Sequence, residues 1–115
     1  MRAELAILNY QRAGGPIVPI AVLLLDQKDV LHIKGRSDLG VAVGEDAALL
    51  NSWLDELAKR SRGESGLALL EQLENTLSNA VRITERESVD VADIGKGIGD
   101  LYRQHVVRSN GSEDR

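Results

Sequence analysis

The chain contains no cysteine and no phenylalanine, and only three aromatic residues, Tyr10, Trp53 and Tyr102, among 115. Without cysteine there is no disulfide, no thiolate metal ligand, no thiol nucleophile and no thiol redox switch; this absence predicts a cytoplasmic location. With so few rings, a core has to be assembled from Leu, Ile, Val and Ala. Long hydrophobic runs are missing as well. The longest, IVPIAVLLL at residues 17–25, falls well short of the roughly 20 residues a membrane helix needs and carries Pro19 inside it. The start of the chain lacks the pattern of a secretory leader, because Arg2 is followed by Glu4 and a short alternating segment. No membrane association is expected. An excess of positive charge is also lacking: 14 Lys and Arg stand against 18 Asp and Glu. Residues 1–44 carry five basic and four acidic side chains and residues 45–115 nine and fourteen, so the second part is the acidic one. Scattered basic pairs such as Lys34 and Arg36 do not make the face that neutralises several phosphates, which disfavours nucleic-acid binding.

What is present has the length of one domain with one core: residues 1–107 as a single α+β domain and residues 108–115 as a flexible polar tail. AELAILNYQ at 3–11 alternates, with Ala3, Leu5 and Ile7 on one face and Ala6, Leu8 and Tyr10 on the other. Residues 17–25 are apolar on both faces, which predicts a central strand covered on both sides. DQKD connects it to a third strand, VLHIKG, completing an antiparallel meander. RSDLGVAVG reads as a loop. A helix follows over 45–62, with Glu45 and Asp46 in its first turn, a stripe of Ala47, Leu50, Trp53, Leu54, Leu57 and Ala58, and Gly63 to stop it. A second helix runs from about Ser65 to Asn79. AVRITERESV then switches to period two, predicting a fourth strand, with continuing helix as the competing assignment for 81–87. The last element, 91–107, places Ile94, Ile98, Leu101, Tyr102 and Val106 on one helical face, with Asp90 or Asp93 as its cap. The expectation is therefore a small antiparallel sheet, a three-stranded meander plus a fourth strand, packed with three helices.

The most motif-like feature is VADIGKGIGDLYRQHV, residues 91–106. Its glycines fail as a phosphate loop: Gly97 stands where Ser or Thr should follow the lysine, and Asp90 stands where the first glycine should be. They fail as a dinucleotide fingerprint too, since Asp100 occupies the third glycine position. Glycine inside a helix costs about 0.8–1 kcal/mol relative to alanine. Gly95 and Gly97 border the apolar stripe, so close packing is the favoured reason for them, and Gly95, Gly97, Ile98 and His105 form a candidate close-packing face. His105 gains from the helix C-terminal dipole. His32 lies on a separate element, which leaves no metal-ligand spacing.

A polar cluster at the helix-to-strand junction, Asn75, Ser78, Asn79, Arg82, Thr84 and Arg86, is the candidate polar surface; its plainer reading is an exposed helix end and a solvated strand face. No catalytic, cofactor or metal site is assigned, and no family signature is matched closely enough to transfer a role. Three helices are few for both faces of a four-stranded sheet, and a second copy would complete the burial, since most soluble oligomers are symmetric. The expectation is a non-catalytic protein acting through protein–protein association, self-association first. Two alternatives are kept. One is a small enzyme pairing Glu85 or Glu87 with His32 or His105 in a cleft between sheet and helices. The other is a nucleotide or nucleic-acid module built on Lys34, Arg36, Arg82 and Arg86.

Overall fold

The computed structural model describes residues 2–76 and 80–107. Its sheet begins with the meander: β1 (Arg2–Gln11), β2 (Ile17–Leu25) and β3 (Leu31–Gly35), all antiparallel. After the helices that follow β3, the chain returns as β4 (Val81–Ile83) and β5 (Glu87–Asp90), and both pair with the free edge of β1. The order is β3-β2-β1, with β4 and β5 sharing the last place. Leu8 faces Ile83 and Leu5 faces Glu87, so two residues of β1 oppose three of the returning chain. This bulge divides what is otherwise one strand. At its centre the Thr84 amide donates to the Ile7 carbonyl at 3.0 Å, and Thr84 Oγ1 accepts from the Ile7 amide at 2.9 Å.

A second bulge lies in β2. Asn9 pairs with Pro19 and Leu8 with Ala21, leaving Ile20 as the extra residue. It places Ile20 and Ala21 in the same apolar cluster. Proline has no amide hydrogen for a ladder and is tolerated in a sheet at such irregularities.

Three helices lie between β3 and β4, and a fourth follows β5. The stretch read as a loop contains a single-turn helix, α1 (Leu39–Val43), which buries Leu39 and Val43. A one-turn 3₁₀ segment, Gly44–Asp46, leads into α2 (Ala47–Ser61), whose Leu50, Leu54 and Leu57 are buried. Next come α3 (Gly66–Thr76), with Leu69, Leu70 and Leu73 buried, and α4 (Ile94–Tyr102), which continues into a wider π-type turn over Arg103–Val107.

Helices α1, α2 and α3 lie on the face of Ala6, Leu8, Tyr10, Ala21, Leu23 and Leu25. The other face carries Ala3, Leu5, Ile7, Val22 and Leu24, and α4 with Val106 covers it. Every one of these sheet residues is buried. The chain thus covers both faces of its own sheet, and the ground for a second copy drawn from an uncovered face is removed. The polar segment 108–115 lies outside the described residues.

Candidate functional site

The polar cluster of the helix-to-strand junction is built around Arg86. Released from the ladder by the bulge at Thr84, Arg86 reaches over to α3 and donates from Nε and Nη2 to the two carboxylate oxygens of Glu74, each at 2.9 Å. Its Nη1 lies 3.4 Å from Glu4 Oε1 on β1, and Glu71 is 4.0 Å away. The fork geometry of a guanidinium suits such a paired carboxylate. Hydrogen bonding to Glu74 holds the Arg86 guanidinium well above its ordinary range. The same bond, opposed by partial burial, holds the Glu74 carboxyl below its usual value. Thr84 is engaged in the bulge, Asn75 donates to the Glu71 carbonyl one helical turn back at 2.9 Å, and Arg82 is exposed on β4. Ser78 and Asn79 lie outside the described residues. The cluster therefore contains a clamp between α3 and the sheet.

On the other face, Asp93 caps α4, its side chain accepting from the Lys96 amide at 3.2 Å. All three glycines lie inside the helix. A Cβ on Gly97 would come within 2.8 Å of Val91, so what packs against this glycine is the chain's own lead-in segment. At Gly95 the nearest group is Asp93 Oδ1 at 3.4 Å, and at Gly99 only Arg103 approaches, at 4.0 Å. Ile98 faces the sheet among Leu5, Val22 and Leu24, while His105 is half-buried in the π-type turn. Lys34 of β3 sits over the Tyr102 ring at 5.1 Å, which ties α4 to the edge strand.

The carboxylate and histidine pairs expected of an enzyme are arranged differently. His32 is on β3, while Glu87 is on β5 at the opposite side of the sheet, with β2 and β1 between them. The partner of His32 is Asp26, 2.8 Å away. The Asp26 carboxylate also accepts from the amides of Lys28 and Val30 at 2.8 and 3.0 Å. It closes the β2–β3 turn, in which Asp29 takes a positive φ of 66°. Burial opposes ionisation at Asp26, but the bonds from His32, Val30 and Lys28 outweigh it and the carboxyl lies below the ordinary range.

Basic residues do not form one face either, since Arg36 is buried, Lys34 lies on β3 and Arg82 and Arg86 lie beyond β1. Among the described residues no group of three or more His, Asp and Glu stands together as a metal would require. No helix there is long and apolar enough to cross a membrane.

No protein-family model matches the chain, nor does any curated protein or solved structure.

Two features were not visible in the sequence pattern. Val41 of α1 is 88% exposed and Leu49 of α2 is 73% exposed, and Trp53, one turn beyond Leu49, is only partly buried. Trp53 packs against the core cluster, in keeping with its place in the apolar stripe, so the outward apolar side chains of this layer are Val41 and Leu49. Close by, Tyr10 donates to the Asp46 carboxylate, which Arg12 also approaches at 3.4 Å. The bond to Asp46 raises the Tyr10 phenol above its ordinary value. A cleft of about 310 Å³ opens there between the β1–β2 turn and α1, lined by Tyr10, Arg12, Pro16, Val18 and Val43 among others.

Proposed function

We propose that this is a non-catalytic cytoplasmic protein that acts by association through the outer surface of α1 and α2, with a second copy of itself as the first partner. The observation that supports this reading is the exposure of Val41 and Leu49, large aliphatic side chains on the layer that already buries Leu39, Leu50 and Leu54 inward. Apolar side chains left in water gain about 25 cal/mol for each Å² that a partner covers. The ionisable groups with short contacts support it indirectly, because Arg86 with Glu74, Asp26 with His32 and Tyr10 with Asp46 each join two elements of the fold.

Residues 45–115 carry the acidic excess, so two copies repel one another at low ionic strength and the apolar contact gains as salt screens that repulsion. Sedimentation velocity at tens of micromolar is expected to show a dimer that tightens with added salt. Paired substitution of Val41→Asp and Leu49→Glu should return it to a monomer whose unfolding temperature matches that of the wild-type chain diluted below its dimerisation range. A wild-type chain that stays monomeric at high salt would overturn the self-association reading.

A further inference from the structure

At the end of the sheet beyond α3, on the face that the helices cover elsewhere, lies a cleft of about 370 Å³. Its floor is a row across three strands, Leu25 of β2, Glu4 of β1 and Ser88 of β5, which are direct register partners. Arg2, two residues before Glu4 on the same face of β1, flanks the row, and Leu67 in the first turn of α3 forms a wall while remaining 40% exposed. Two other charged residues line the cleft, but both are committed elsewhere. Arg86 is held by Glu74 through two 2.9 Å bonds, and the Asp26 carboxylate is taken up by the hairpin amides and His32.

Arg2 and Glu4 are different. Arg2, whose register partner on β5 is Asp90, donates to the neutral Ser88 hydroxyl at 3.1 Å. Glu4 has only the long 3.4 Å contact from Arg86. The two opposite charges stand about 7 Å apart along the strand and do not close on each other. They flank a hydroxyl, with aliphatic side chains beside them. A ligand that satisfies all of these groups carries a carboxylate for Arg2 and Ser88, an ammonium for Glu4, and a short aliphatic body for Leu25 and Leu67. The volume is within the usual range for small-molecule pockets, about 300–1,000 Å³.

We propose that this cleft binds a free aliphatic α-amino acid, held as its zwitterion between Arg2 and Glu4. The reading is independent of association through α1 and α2, which lies on other residues. The test is an amide chemical-shift titration of the full chain with L-leucine, and with isocaproate and isoamylamine, which lack its ammonium and its carboxylate respectively.

L-leucine is expected to give saturable shifts at residues 2–4, 25–27, 67 and 86–88. Each half-ligand should bind at least about tenfold more weakly, as loss of one charged hydrogen bond implies. Arg2→Gln should weaken L-leucine by a similar factor while leaving the isoamylamine response in place, and Glu4→Gln should spare isocaproate instead. Arg2→Lys, which keeps the charge, should recover part of the affinity. Non-saturable shifts, isocaproate or isoamylamine binding as tightly as leucine, or an Arg2→Gln chain that binds leucine unchanged would overturn the proposal.

Discussion

Among the described residues, Arg36 is the only polar side chain the core encloses, at 4% exposure. Its guanidinium donates to Asp38 at 2.5 Å and to the Pro19 carbonyl at 3.0 Å, while its own amide bonds the Ile20 carbonyl at 2.8 Å. One residue thus holds both carbonyls of the β2 bulge and fixes the chain entering α1. Arg36→Met keeps the length and apolar stem but leaves the Pro19 carbonyl without this donor. A loss of about 2–3 kcal/mol is expected, seen as a fall in thermal midpoint of roughly 8–15 °C, with Arg36→Lys between the two. Nothing in GRSD announces this role, because burial of a charged residue is decided by a bulge in a different strand. Asp29 is a similar case. It closes its own hairpin at positive φ, and it also accepts from the amides of Gly66, through its carbonyl at 2.7 Å, and Leu67, through its side chain at 2.8 Å. The start of α3 is therefore capped from a distant turn, whereas the local sequence offers only Ser65, which bonds the Ala68 amide at 3.2 Å.

At the scale of elements, the glycines of α4 separate two effects that the sequence shows only together. Gly97→Ala would drive a Cβ into Val91, and overpacking of this kind costs about 1–3 kcal/mol, more than the ~0.8–1 kcal/mol gained in helix propensity. Gly99→Ala meets no such neighbour and keeps the propensity gain. Thermal unfolding should therefore move down for the first and up, by a few degrees, for the second. The meander strands and the longer helices were legible in the hydrophobic pattern: β1 alternates, β2 is apolar throughout, and α2 and α4 carry clean stripes. The loop that proved to be α1 was not, since LGVAV is too short to show a helical period and its Leu39 and Val43 are fixed by packing on the sheet. The division of the fourth strand into β4 and β5 was equally hidden. It depends on Thr84 bonding Ile7, a residue 77 positions earlier. For the polar cluster, the sequence brought Arg82, Thr84 and Arg86 together but missed Glu74, which the packing of α3 places beside Arg86, and Glu4, which the pairing of β1 with β5 brings there.

For the molecule as a whole, the acids that hold elements together share one direction. The carboxyls of Asp38 and Glu74 lie below their usual 3.8 and 4.5, through hydrogen bonds from Arg36 and Arg86 that outweigh burial; Asp26 lies low despite burial. A carboxyl whose folded value is depressed contributes stability that is fully present above its unfolded value and is lost as pH falls through the folded one. The unfolding midpoint is therefore expected to be level near neutrality and to drop below about pH 5. Glu74→Gln should lower the neutral plateau and make the acid slope shallower; an unchanged slope would show that the Arg86 clamp contributes nothing to it. The sheet's connectivity adds a consequence in time. β1 is made first, yet one of its edges and the whole Leu5, Val22 and Leu24 face wait for residues 81–107. At ribosomal speeds of about 5–20 residues per second, the nascent chain carries an open strand edge and a bare aliphatic surface for several seconds. Substitutions that weaken β4, β5 or α4 should therefore reduce soluble yield during synthesis by more than their effect on the finished fold would suggest.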